Sequence, residues 1–271
     1  MWSPIHDIDH EGTKISIAFS PCPNDTFMMD ALIHGKISNP FLFEPHLLDI
    51  QELNDAAKNH LFDVTKISAA HLPLIADQYE LLDAGSAMGF GVGPILVSKK
   101  EMQLQDISES MVGIPGKNTT ANQLFHHFYR PLKTKFILFS NIENAILNDE
   151  IDAGVLIHEG RFTYLSKGLR LLEDLGTKWE NSYQLPIPLG VFVVRKSMPE
   201  KLKYKINSLI HQSIQFAFDH PDDSTDYVRA HAQEMSKEVV DQHIKLYVNK
   251  YSLDMGDEGK KALFFLLKKL Y

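Results

Sequence analysis

The sequence predicts an α/β protein built as two lobes, and three observations carry that reading. From Lys14 onward, short β-rich apolar runs alternate with runs of helical spacing. The glycine-led apolar stretch Gly93-Pro94-Ile95-Leu96-Val97-Ser98-Lys99 has an echo in Gly190-Val191-Phe192-Val193-Val194-Arg195-Lys196, and both stop at basic residues. Between them lies a unit with its own alternation: strand Met111 to Ile114, helix Thr120 to Tyr129, strand Phe136 to Phe139, helix Ile142 to Leu147, strand Ala153 to Ile157. Two matched strands entering and leaving such a unit predict a paired crossover between lobes, with the groove between them as the site. The expected limits are residues 1–98 with 191–271 for the larger lobe and 99–190 for the smaller.

Taken in order, the tail Met1 to Thr13 carries His6, Asp7, Asp9 and His10 and reads as a frayed terminus without function. It has no apolar core of the kind a secretory signal needs. Lys14 to Phe19 reads as a strand, Met28 to His34 as a helix closed by Gly35, Phe41 to Leu48 as a strand, and Asp49 to His60 as a helix. Val64 to Ile67 is a brief strand leading through Ser68 into a helix that runs towards Tyr79, followed by a strand from Leu81 to Ala87. The last third reads as helices over Lys201 to Phe218, Tyr227 to Met235, Lys237 to Tyr247 and Lys260 to Leu270, broken at Pro221. The last of these is amphipathic and is expected to pack on the first lobe.

Composition narrows the partners. With 44% hydrophobic residues among 271 the chain can bury a substantial core. Lys and Arg total 27 against 35 Asp and Glu, a net charge of −8 that argues against nucleic-acid binding. No apolar run approaches the ~20 residues needed to cross a bilayer. The lone cysteine, Cys22, permits no internal disulfide and reads as a packed or pocket-lining thiol.

Three strand-to-helix corners can hold chemistry, because free N–H groups at a helix start favour an anionic guest. The first is Phe19-Ser20-Pro21-Cys22-Pro23-Asn24-Asp25-Thr26-Phe27, with two prolines that stiffen the turn and three successive residues able to cap a helix. The second is Ser68. The third is Pro115-Gly116-Lys117-Asn118-Thr119-Thr120-Ala121, which fails the phosphate-loop pattern because Met111 stands where a glycine is required. A carboxylate on the Thr119 and Thr120 hydroxyls and the helix N–H groups is the expected guest there. Ordinary helix capping satisfies all three spacings equally well.

His158 is the candidate reactive group, since it follows the apolar run Ala153 to Ile157 and so sits at the C-terminal end of a buried strand. An unperturbed imidazole, with a pKa near ~6.5, suits a general base. Glu159 and Arg161 flank it, and either could orient the ring or anchor an acid. His158-Glu159-Gly160-Arg161-Phe162 is not a zinc-protease signature, and G-x-S-x-G and G-x-G-x-x-G are both absent. His126, His127, His231 and His243 fall in helices, where packed or solvated roles are the default.

Together, Ser20-Pro21-Cys22-Pro23-Asn24-Asp25-Thr26-Phe27, Thr65-Lys66-Ile67-Ser68, Thr119-Thr120-Ala121 and His158-Glu159-Gly160-Arg161-Phe162-Thr163-Tyr164 resemble the 1,4-dihydroxy-6-naphthoate synthases of the futalosine route to menaquinone. Leu185-Pro186-Ile187-Pro188-Leu189-Gly190 and Arg229-Ala230-His231-Ala232-Gln233-Glu234 extend the resemblance over nearly the whole chain. It implies a periplasmic-binding-protein-like fold of type II, used as a cytoplasmic enzyme with neither metal nor organic cofactor. It further implies a carbon–carbon lyase that cleaves cyclic dehypoxanthinyl futalosine to 1,4-dihydroxy-6-naphthoate and dihydroxyacetone. His158 then matches the proton acceptor, while Lys66, Ile67 and Ser68 match one substrate-contacting segment and Thr120 with Ala121 the other. Ser20, Asn24, Thr119 and Arg161 complete the expected binding set for a small carboxylate. Two alternatives stay open: a sister chorismate dehydratase, against which the Ser20–Phe27 string argues, and a solute-binding protein, against which the absent signal argues. A homo-oligomer is compatible with the sequence, which does not set the oligomeric state.

Overall fold

β1 (Thr13–Phe19) opens the fold in the computed structural model, which describes residues 12–232 and 236–270. The readings of the tail at His6 and His10, and of Gln233, Glu234 and Met235, lie outside the described residues. The chain continues through α1 (Pro23–Ile33), β2 (Phe41–Leu47), α2 (Ile50–Lys58), β3 (Val64–Ser68), β4 (Tyr79–Leu81) and β5 (Ala87–Gly89). Next come β6 (Ile95–Ser98), β7 (Met111–Ile114), α3 (Thr120–Phe128), β8 (Lys133–Phe136), α4 (Phe139–Leu147) and β9 (Ala153–Leu156). After these follow α5 (Gly160–Thr163), β10 (Arg170–Asp174), α6 (Leu175–Tyr183) and β11 (Ile187–Arg195). Helices α7 (Glu200–Asp219), α8 (Thr225–His231), α9 (Lys237–Tyr247), α10 (Lys250–Leu253) and α11 (Gly256–Leu270) complete it.

The strands form two sheets, ordered β2-β1-β3-β11-β4 with β5 also on β11, and β10-β6-β9-β7-β8. β1 is parallel to β2 and β3, and β7 is parallel to β8 and β9. Into each sheet runs one antiparallel strand delivered from the other half: β6 pairs with β9 and β10, and β11 with β3, β4 and β5. These are the two glycine-led strands of the sequence. The pairing moves the expected limits, because Ile95–Ser98 already belongs to the second sheet and Ile187 and Pro188 already pair in the first. The chain therefore changes halves around 90–94 and 184–186.

Further expectations change, among them the strand read over Phe136 to Phe139, which lies at Lys133–Phe136 with Phe139 already opening α4. The helix after Ser68 is only a 3-10 segment, Ala69–Leu74. Pro73 lacks the N–H a longer helix would use, and its ring opposes the carbonyl four residues back. Of the strand expected over 81–87 only the ends lie in strands, Leu81 in β4 and Ala87 in β5, and Gly85 in the turn between them has a φ of +90°. The amphipathic α11 packs on both halves, against β11 and against α3.

At the crossover, Gly93 and Gly176 are packed backbone to backbone. A Cβ on Gly93 would stand 2.2 Å from the Gly176 Cα. Arg161 fastens the same place, donating to the Gly93 carbonyl at 2.7 Å and to Asp174 at 2.5 Å. Gly93→Ala is expected to destabilise the fold by about 1–3 kcal/mol through overpacking. Urea denaturation checks this, and an unchanged midpoint would show that the two backbones part freely.

Candidate active site

The first corner is organised from the cavity side rather than as a helix cap. Cys22 is the N-cap of α1 and Pro23 its first residue, yet no side chain caps the helix. The capping expected of Asn24 and Asp25 is replaced by a buried network. The Asp25 carboxylate accepts from the Ser20 hydroxyl at 2.7 Å, the Asn24 amide at 2.8 Å and the Lys66 ammonium at 2.9 Å. Lys66 also donates to the Gly85 carbonyl at 2.7 Å and lies 4.8 Å from the Phe192 ring centroid. Both members of the ion pair are buried, which is affordable only because each is hydrogen-bonded further. Gly190 lets the lysine pass, since a Cβ there would stand 3.0 Å from Lys66 Cε.

The second and third corners meet across the groove. Asn54 holds Ser68 twice, donating to its hydroxyl at 3.0 Å and accepting from its N–H at 2.9 Å. The Thr119 hydroxyl caps α3 by accepting from Asn122 N–H, and it donates to the Gly116 carbonyl. The Thr120 hydroxyl accepts from Ala70 N–H at 3.1 Å and donates to the Leu189 carbonyl at 2.9 Å. Both hydroxyls are thus engaged in the protein itself, and the first N–H groups of α3, those of Thr120 and Ala121, precede any carbonyl of their own helix that could accept from them.

His158 arrives at the same space from the end of β9. Its backbone lies in the left-handed region, φ +55°, which costs an ordinary side chain about 1–3 kcal/mol and aims the ring away from the strand path. Nδ1 is 3.2 Å from the Cys22 Sγ, and the ring packs 4.8 Å from Phe139. The Cys22 thiol is pushed well up by burial, reinforced by the Glu159 and Asp25 charges, so it is a neutral partner for the imidazole. Asp49, the N-cap of α2, is also raised by burial, while the nearby His158 pulls it the other way.

Ser20, Asn24, Lys66, Ser68, Thr119, Thr120, Ala121 and His158 line one cavity. Ile67 does not line it, because alternate residues of β3 face opposite sides and Ile67 is in the core. Arg161 does not line it either, being held at the crossover. Residues not anticipated from the sequence are Asp25, Gly190, His243 and Tyr247, which line the cavity, and Asn54 behind Ser68. His243 was expected to be packed or solvated; it is buried, donates from Nε2 to Asn24 at 2.9 Å, and lies parallel to His158 with ring centroids 6.3 Å apart.

Burial also lowers the affinity of His243 and His71 for protons, strongly for His243. In the unfolded chain both titrate near ~6.5. Below that pH the unfolded state binds more protons than the folded one, so stability is lost as pH falls from ~6.5 towards the folded values. The unfolding midpoint is expected to drop between pH 7 and pH 5, and His71→Leu to flatten that slope. An unchanged slope in the variant would remove His71 as a contributor.

Fold and cavity define a two-lobed, binding-protein-like α/β scaffold with a histidine in its groove. The ligand-binding component of an ABC-type import system from Staphylococcus aureus shares the fold, with a TM-score of 0.70 at 16% identity over 95% of this chain and 91% of that one. The family model described as menaquinone biosynthesis matches residues 15–271, and the chain belongs to that family. It is 39% identical over 249 residues to the 1,4-dihydroxy-6-naphthoate synthase of Thermus thermophilus, covering 92% of this chain and 91% of the relative. The Streptomyces coelicolor enzyme of the same name is 37% identical over 261 residues, covering 94% and 92%. Among the described residues, no helix is long and apolar enough to cross a membrane.

Proposed function

We propose that the chain is a 1,4-dihydroxy-6-naphthoate synthase, a carbon–carbon lyase that takes cyclic dehypoxanthinyl futalosine to the naphthoate with release of dihydroxyacetone. The observation that carries this reading is the position of His158 in the groove, its Nδ1 on the Cys22 thiol, in a chain nearly 40% identical to enzymes of that name.

The residues divide the work. A base needs a lone pair towards the substrate, so Nδ1–H of His158 donates to the Cys22 sulfur and Nε2 accepts the proton. Loss of that proton lets the bond to the three-carbon fragment break, and formation of the aromatic ring drives the step. The substrate carboxylate rests on the N–H groups of Thr120 and Ala121, with the Ser68 hydroxyl, already oriented by Asn54, as a further donor. The cross-groove bonds through Thr120 and Asn54 hold the halves together and keep bulk water from the reacting carbon.

Purified protein supplied with cyclic dehypoxanthinyl futalosine is expected to release 1,4-dihydroxy-6-naphthoate, followed by chromatography and absorbance. Tight binding of the substrate with no product would overturn the enzymatic reading and leave an organic-acid-binding protein.

A further inference from the structure

We infer that His243 is a second functional histidine of the cavity, presenting Nδ1 as a fixed acceptor for a hydroxyl of the bound ligand. The inference deepens the functional reading above and rests on it for the identity of that ligand.

The argument is one of hydrogen-bond polarity, passed along a chain of contacts. Lys66 has only donors, and it faces Asp25 at 2.9 Å, so the Asp25 carboxylate accepts. An accepting carboxylate requires the Asn24 side chain to turn its NH₂ group towards it, which it does at 2.8 Å. The Asn24 oxygen is then left to face His243, and Nε2 of that imidazole, 2.9 Å away, must be the protonated nitrogen. The opposite amide orientation would set two acceptors against each other at Asp25. Nδ1 consequently keeps its lone pair. Burial keeps the ring neutral, aided by repulsion from His158.

That lone pair has no use within the fold. Nδ1 is buried and has no hydrogen-bond partner among the described residues, although leaving a buried acceptor unpaired is costly. The other orphaned side-chain atoms, on His71, Asn122, Glu143 and Trp179, belong to residues that do not line this cavity, whereas His243 does. Its ring is held by Tyr247 at 4.6 Å and Phe162 at 6.2 Å, so the acceptor does not swing to find a partner. An unpaired acceptor of fixed polarity, on a residue that lines a cavity, is satisfied by a donor from a ligand that reaches it. Under the proposed function the ligand supplies donors as hydroxyl groups, in the sugar-derived part of the substrate and on the ring of the product.

His243→Gln separates this role from packing. The glutamine Nε2 can occupy the imidazole Nε2 position and still donate to Asn24, but nothing replaces Nδ1. The variant is expected to unfold at a midpoint close to wild type, to lose about tenfold or more in kcat/KM for cyclic dehypoxanthinyl futalosine, and to bind 1,4-dihydroxy-6-naphthoate about tenfold more weakly by calorimetry. Long-range ¹H–¹⁵N correlation spectra of the wild-type protein should show His243 as the Nε2–H tautomer, with its Nδ1 signal displaced by the naphthoate. Kinetics and binding within twofold of wild type, or an Nδ1–H tautomer, would overturn the inference. Wild-type protein that binds the naphthoate without turning over the cyclic substrate would instead sink the lyase reading, with the binding comparison still deciding the role of His243.

Discussion

His158→Asn is expected to lower kcat by about 10²- to 10⁴-fold while changing KM little, the signature of losing a proton acceptor. Asparagine is the informative replacement because position 158 has φ +55°, a conformation that asparagine tolerates better than other non-glycine residues. The backbone turn is therefore kept, and a polar atom remains near the Cys22 sulfur. Alanine would add backbone strain to the loss of the ring and confuse the two effects. Single-turnover kinetics and an unfolding curve on the same sample separate chemistry from stability. Turnover within a few-fold of wild type would remove His158 as the base.

Lys66→Met is expected to cost about 3–5 kcal/mol of folding free energy, because it leaves the Asp25 carboxylate buried without its cation. The Ser20 hydroxyl and the Asn24 amide still reach Asp25, but neither carries charge. Adding Asp25→Asn to Lys66→Met removes the stranded charge and should recover part of the loss, so the two changes are strongly non-additive. Chemical denaturation of the two singles and the double gives the coupling directly. A single Lys66→Met variant within 1 kcal/mol of wild type would show that solvent reaches the pair.

Much of the architecture was legible, for a physical reason: its signals are local. Strand and helix patterns reach the eye through side-chain periodicity, and the two glycine-led strands stood out because crossing between sheets places the same demands on both. The Ser20–Phe27, Ser68 and Thr119–Ala121 corners were located from residues that stop one element and start another. What each corner does was less legible. Asn24 and Asp25 look like caps at that spacing, and only the arrival of Lys66 from β3 and His243 from α9 shows that they face a cavity. Those partners are 41 and 219 residues away in sequence, and no local pattern records them. Cys22 was placed as packed or pocket-lining, without a neighbouring histidine in view, because His158 lies 136 residues further on. Arg161 was legible as a cation beside His158, but its true neighbours, Gly93 and Asp174, depend on how the crossover folds.

The contact between Cys22 and His158 joins one half of the molecule to the other: the thiol stands at the start of α1 beside the first sheet, the imidazole at the end of β9 in the second. Any motion that parts the halves breaks it, together with the bonds through Thr120 and Asn118. The proposed base and the group that orients it therefore come together only when the jaws are shut. Under the proposed function, reactivity would then be conditional on capture, a coincidence detector built from one sulfur and one nitrogen. A scaffold that elsewhere serves to carry cargo would need no additional domain to become a catalyst, only a partner for its histidine on the facing wall.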